Sequence, residues 1–330
     1  MRRILLTNNH LVQPGGSETW TLTVATELVR RGYEVIVYSL DIGPFAEAFP
    51  CPVVREVAGT FDLGLVNHNS CIPAAREACR TVIMTCHGTF PPLEQPVLGA
   101  DHYVAISEEV HAHLERQGFS ATIIRNPIDC EVFSPTNRVG EKLGTILSLC
   151  QGALANQLLA ALCEREGWAL RTIDDGHREL GIEKLVNEAD LVVGLGRSAM
   201  EAMACGRPVL VFDSRSYTPY AMDGIVTEHN VDELIECNLS GRRFRLEATI
   251  DSVAAQLERY DPALGDFGRS FALANLEVGR QVDAYLDLAT SVDSRHRRRI
   301  QIAVVAVACF GILAAGIVSQ MAGGVFRVGR

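Results

Sequence analysis

Short apolar runs recur along this chain with helical patterns between them, and they do so in two successive series. In the first, Ile4–Thr7, Val35–Tyr38, Leu63–Asn67, Thr81–Thr85, His102–Ile106 and Ala121–Arg125 read as buried strands. Ser17–Arg31, ending at Gly32, and Ile72–Cys79 carry helical periodicity, and Ser107-Glu108-Glu109 opens a further helix with an N-cap signature. Asn126-Pro127-Ile128-Asp129 and Ser134-Pro135-Thr136-Asn137 then interrupt the alternation and read as a linker. It resumes with strands at Ile146–Leu149, Ala169–Ile173, Leu191–Val193 and Val209–Phe212. Helices are expected between them at Leu154–Arg165, Ile182–Glu188 and Ser198–Cys205. Strands alternating with helices dictate an α/β fold with parallel, doubly wound sheets. A chain of 330 residues has room for two such domains. The expected division is 1–137, 138–265, a closing helix and linker over 266–294, and a tail over 295–330.

The tail differs from the rest. Residues 300–321 run from Ile300 to Met321 without a charge. As a helix they span about 33 Å, enough for a hydrocarbon core of about 30 Å. Arg295, Arg297, Arg298 and Arg299 precede this stretch, whereas Arg327 and Arg330 follow it. The positive-inside rule therefore predicts a single-pass C-terminal anchor with the N-terminal body in the cytoplasm. Met1-Arg2-Arg3 is followed by only three apolar residues, too few for a secretory signal. The ten cysteines form no C-x-x-C pair and no zinc spacing, so reduced, buried thiols are expected. A net charge of −10 argues against nucleic acid as a partner.

Two glycine turns could carry chemistry. Pro14-Gly15-Gly16-Ser17-Glu18 lies between the first strand and the first helix, where glycines admit a ligand to free helix-start amides. On this loop alone, a plain turn capped by Ser17 explains the residues equally well. Gly194-Leu195-Gly196-Arg197-Ser198 joins a strand to a helix that carries Glu201. There the turn amides could receive a diphosphate and Glu201 the hydroxyls of a ribose. Alternatively, Glu201 merely favours the positive end of its helix.

The second of these stretches, continuing Glu201-Ala202-Met203-Ala204-Cys205-Gly206-Arg207-Pro208-Val209, resembles the second-domain signature of glycosyltransferase family 4, the retaining enzymes of the GT-B fold. Gly15-Gly16-Ser17-Glu18 looks like that family's first-loop glycines. Ile106 to Val110 and Ile124 to Pro135 look like its bridge between domains, and Ile173-Asp174-Asp175-Gly176 like its turn near the nucleotide. The resemblance covers roughly residues 1–290. It implies two Rossmann-like domains facing a cleft, with a nucleotide diphosphate sugar held mostly by the second. A UDP-sugar is the commonest donor in such a family, and its members usually need no metal or cofactor. It further implies Gly15, Gly16, Gly194, Gly196, Ser198 and Glu201 as donor-binding residues. With the anchor, the expected acceptor is a lipid-linked or envelope glycan.

Two departures from the family pattern stand out. Val193 occupies the position of the family's first Glu, which contacts the donor sugar. Leu149 to Gln157 lacks the basic pair that grips the diphosphate, and Arg197 is the expected substitute. His87, at the end of a first-domain strand, is the expected acceptor-side catalytic group beside Arg197, with His68 a weaker candidate. These departures also motivate an alternative: a degenerate GT-B protein that binds a nucleotide sugar or a partner without turnover. An epimerase on the same fold is a further rival, disfavoured because the motifs match transferases.

Overall fold

The first apolar run extends in both directions, because polar residues at the end of β1 (Arg3–Leu11) still pair with the neighbouring strand β2 (Glu34–Ile42). The computed structural model describes residues 1–173, 181–215 and 218–294. The first series builds a sheet that adds β3 (Val53–Val54), β4 (Phe61–Val66), β5 (Cys79–Cys86), β6 (His102–Ala105) and β7 (Ala121–Ile123). Among the described residues its order is β3-β2-β1-β4-β5-β6-β7, with every pairing parallel. Helices α1 (Gly16–Arg30), α2 (Ile72–Ala78) and α3 (Glu108–Arg116) connect these strands. Ser107 caps α3 by accepting the Val110 amide at 3.3 Å, as its sequence signature predicts.

The second series builds β8 (Thr145–Ser148), β9 (Ala169–Thr172), β10 (Leu191–Gly194), β11 (Val209–Arg215) and β12 (Thr218–Ile225), in the order β12-β11-β10-β8-β9. The connecting helices are α4 (Ala153–Glu166), α5 (Ile182–Asn187) and α6 (Arg197–Ala204). Its central strand β10 is apolar throughout because helices cover both faces. Val192 packs with Met200 and Met203 of α6, while Leu191 and Val193 pack with Leu159 of α4 and Leu257 further on. The antiparallel edge strand β12 was not expected from the sequence. Helices α7 (Val231–Glu236), α8 (Ile250–Leu257) and α9 (Ala263–Asn275) follow.

The expected single closing helix is interrupted. At Leu276–Glu277 the chain pairs with Ile128 of the linker, through Ile128 N–H to Leu276 O at 2.8 Å and Val278 N–H to Ile128 O at 2.9 Å. Beyond that bridge, residues 278–285 are helical, and Tyr285 returns to the first sheet. Its hydroxyl lies 3.0 Å from Thr85 Oγ1, and its ring meets Trp20 edge-on at 5.5 Å. Met1–Tyr285 is one compact unit and Leu286–Arg330 another, of which residues 286–294 are described and helical. Among the described residues no helix is long and apolar enough to cross a membrane. The predicted span at 300–321 and its arginine flank lie outside the described residues, as do Asp174, Asp175 and Gly176.

Candidate functional site

In open α/β sheets, ligands bind beyond the carboxyl ends of the strands where the strand order reverses. The first sheet reverses between β1 and β4, the second between β8 and β10. The loops after all four strands line one cavity of about 880 Å³ in the Met1–Tyr285 unit. Gly15, Gly16, His68 and His87 come from the first sheet's loops, and Gln151, Gly196, Arg197, Ser198 and Glu201 from the second's. Every candidate catalytic or donor-binding residue named from the sequence lines this cavity except Gly194, which ends β10 immediately before the turn.

Gly15 is the N-cap of α1 and contributes no side chain to the first amides of that helix. Gly16 has open space where a Cβ would stand. Gly196 is the N-cap of α6 at φ +57°, a left-handed conformation that favours glycine, and no side chain caps this helix either. Both helix starts can therefore accept an anion.

His87 is fixed by a buried polar chain. Asn67 Nδ2 donates to Thr21 Oγ1 at 2.7 Å, so Asn67 Oδ1 is an acceptor, and His87 Nε2–H donates to it at 2.9 Å. Trp20 meets the imidazole edge-on at 5.7 Å. Burial, with smaller contributions from His68 and Arg197, pulls the His87 pKa down to about 3, so the ring is neutral at physiological pH. Nδ1 then carries a lone pair with no protein partner among the described residues. His68 is likewise neutral, its pKa lowered to about 4 by burial and then by His10. It accepts the Asn9 amide on Nδ1 at 3.0 Å, which leaves the proton on Nε2, 3.4 Å from Ser17 Oγ. Ser17 donates in turn to Glu18 at 3.1 Å, and His10 Nδ1 stands 3.1 Å from the same carboxylate oxygen.

Arg197 and Glu201 pair with each other at 3.1 Å, one turn apart on α6, and both are nearly buried. Burial, the largest influence on each, raises the Glu201 carboxyl pKa and lowers that of the Arg197 guanidinium, and each partner opposes the shift in the other. Arg197 also donates to Pro127 O at 2.7 Å and to Thr23 Oγ1 of α1 at 3.3 Å, spanning the linker and both sheets' helices. Its Nε, Asn126 Oδ1 and Ser240 Oγ, on three residues that line the cavity, are buried atoms without a protein partner. Unpaired buried polar atoms are costly, and on residues beside a cavity they point to water or a ligand as the missing partner.

The loop after β8 is occupied differently. Asp213, fully buried at the end of β11, accepts the Gly152 amide at 3.0 Å and the Gln151 amide at 3.2 Å, and it pairs with Arg215. A Cβ on Gly152 would stand 1.8 Å from Ser214 O, so only glycine fits there. An internal carboxylate thus holds the two amides just before α4, and Ser214 Oγ accepts the Ala155 amide of its first turn at 3.0 Å. Val193 is fully buried within β10.

Sequence reasoning missed Arg215, Arg242 and Glu94 on the cavity lining. Arg215 ends a strand, and the strand-end rule that singled out His87 would have found it. Arg242 pairs with Glu109 of α3 at 2.5 Å and lies over Phe90, 5.4 Å from the ring centre. Nothing in its Gly-Arg-Arg context pointed to the cleft. Among the described residues no cluster of acidic, His or Cys side chains is arranged to hold a metal ion, and the described cysteines are free.

No family model matches the chain, and no curated protein matches it. Solved structures do. A glycosyltransferase from Rickettsia africae is similar over 88% of this chain and 98% of its own, at 13% identity and a TM-score of 0.59. An alpha-glucosyltransferase, solved with UDP and a 13-mer DNA containing a HMU base, covers 87% of this chain and 99% of its own, at 11% identity and a TM-score of 0.55. MurG of Acinetobacter baumannii covers 88% and 100%, at 12% identity and a TM-score of 0.52. The fold is the two-domain, GT-B-like α/β fold of glycosyltransferases. The neighbours do not single out family 4.

Proposed function

We propose that this protein transfers a sugar from a nucleotide diphosphate sugar to a hydroxyl of a glycan or lipid-linked acceptor. The observation that carries the reading is the convergence of both sheets' switch points, each with a glycine-capped helix start, on one cavity. The start of α6 would receive the diphosphate, with helix-start amides stabilising the leaving charge. His87, neutral and with a free Nδ1, would accept a hydrogen bond from a bound sugar. UDP in a fold neighbour supports a uridine donor. The motif resemblance supports retention, a metal-independent reaction and family 4 membership. The apolar stretch 300–321 supports a membrane anchor with a cytoplasmic body.

A screen of nucleotide sugars by thermal shift identifies the donor, since a ligand that binds the folded state raises its apparent stability. Incubation of that donor with extracted membrane glycolipids then tests transfer, and NMR of the product reads the anomeric configuration. Absence of any shift with UDP- and GDP-sugars would overturn the reading. Specific observations favour one rival, a binder without turnover. Val193 is buried where the family has a carboxylate, and Asp213 already accepts the Gln151 and Gly152 amides just before α4. Donor bound but neither hydrolysed nor transferred would establish that rival.

A further inference from the structure

Glu94 is the carboxylate on the cavity lining that the proposed reaction leaves without a task. It ends a short turn, Pro92–Glu94, in a proline-rich loop that follows His87. Asn69 Nδ2 holds that turn from below, donating to Pro92 O at 2.8 Å and to Gln95 O at 3.0 Å. Gln95 Nε2 closes the loop onto Pro91 O at 3.0 Å. A Cβ built on Gly88 would meet Glu94 Oε2 at 2.7 Å, so the carboxylate lies against the residue next to His87. Among the described residues no donor reaches it.

Of the titratable groups, Glu18 at the start of α1 and Cys86 at the end of β5 interact with Glu94, and His10, His68 and His87 line the same cavity. His113 of α3 is turned to Gln95, 2.7 Å away, and Arg242 is engaged by Glu109. Burial first, and then the Glu18 charge, lift the Glu94 carboxyl pKa to about 7. Glu18 is already supplied by Ser17 and His10. The first-domain wall therefore presents one engaged carboxylate and one idle carboxylate, whereas the arginines of the cavity come from the second domain. An anionic group is drawn to the arginines of the second wall, and the two carboxylates disfavour one beside Glu94.

We propose that Glu94 is an acceptor-binding residue: its carboxylate takes a hydrogen bond from a hydroxyl of a neutral sugar or polyol acceptor and orients it beside His87. This assignment rests on the transfer reading above and supplies its acceptor class. No proton changes hands, and the ionised carboxylate serves as the stronger acceptor of the hydrogen bond. Acceptor affinity therefore rises with pH through the Glu94 titration, while donor affinity does not.

The test is binding of methyl α-D-glucopyranoside, methyl α-D-mannopyranoside and methyl β-D-galactopyranoside to the UDP-loaded full chain, followed by NMR between pH 5.5 and 8.5. At least one glycoside should bind about tenfold more tightly at the upper pH, the scale of a hydrogen bond to a charged group, with a midpoint near 7. Glu94→Gln should bind it with no pH dependence and keep the wild-type affinity for UDP. Glu18→Gln should move the midpoint down, which a merely structural role for Glu94 would not produce. If UDP binds and no glycoside does, or if the pH dependence survives in Glu94→Gln, the assignment is wrong and the transfer reading stands. Tenfold preference for methyl glucosaminide over the neutral glycosides would overturn the neutral-hydroxyl class. Failure of UDP itself to bind would remove the transfer reading and this assignment with it. If Glu94→Gln does not fold, an unmoved midpoint in Glu18→Gln overturns the assignment.

Discussion

Arg197 and Glu201 show how a residue's surroundings change what its sequence position promises. In the sequence both belong to a glycine turn and a helix start, where a surface role is cheap. In the structure they are a buried pair tied to the linker and to α1. Removing one partner leaves the other charged and unpaired, so Glu201→Gln and Arg197→Met should each cost about 3–5 kcal/mol in urea unfolding. The double variant Arg197→Met, Glu201→Leu should recover most of that. A cost below about 1 kcal/mol for either single variant would show a solvated pair instead. Glu94 adds a pH signature of its own. Its folded pKa, about 7, lies above the ordinary 4.5. The stability it contributes is therefore present below pH 4.5 and lost as pH rises through 7, up to about 3 kcal/mol. His68 and His87 act with the opposite sign. Their folded values of about 4 and 3 lie below 6.5, so their contribution is present above 6.5 and lost as pH falls. Wild-type stability mixes these terms, but the difference between Glu94→Gln and wild type isolates the carboxylate. The variant should gain on wild type as pH rises from 4.5 to 8, and a flat difference would refute the raised pKa.

The elements divide by how locally they are determined. The strand, turn and helix around Gly196 were legible because a buried β10, a glycine at φ +57° and an apolar-faced α6 each leave a local mark. Strand β12 left little, since Pro219 and Gly224 are poor strand formers and only pairing with β11 makes it a strand. The break at Leu276–Glu277 was equally hidden, because its cause is a bridge to Ile128, far away in sequence. Glu94 and Arg242 reach the cavity through loop geometry, which no periodicity encodes. The loop between β8 and α4 carries the sharpest case. Its missing basic pair was visible, but Asp213 as the group that takes the Gln151 and Gly152 amides was not. Asp213→Ala should leave the Gln151 and Gly152 amides without their acceptor and the Arg215 guanidinium without its partner. A loss of about 3–5 kcal/mol is expected by chemical denaturation. Sulfate or phosphate at millimolar concentration should restore part of it by filling the vacated anion site. No rescue by either anion would mean that the loop collapses when the carboxylate is gone.

At the scale of the whole molecule, the helix that carries Tyr285 completes the folded unit by bringing its ring onto Trp20 of α1 and Thr85 of β5. Tyr285 and the buried Ala289 and Val292 all precede Ser294, so truncation after Ser294 should leave a folded protein that keeps its affinity for the donor. The tail has a separate physical logic. An uncharged stretch from Ile300 to Met321 is long enough to span a bilayer, and the four arginines before it favour the cytoplasmic face, each adding about 1 kcal/mol of attraction to anionic headgroups. The full chain should therefore stay with membranes through a carbonate wash, whereas the truncated chain should not. Under the proposed transfer reading, tethering would concentrate the protein at the surface where a lipid-linked acceptor is confined. The truncated chain should accordingly match the full chain on a short water-soluble acceptor and fall behind it on the same acceptor embedded in vesicles. Release of the full chain by carbonate would remove the anchor. Equal rates on the vesicle acceptor would show that the tail plays no part in reaching it.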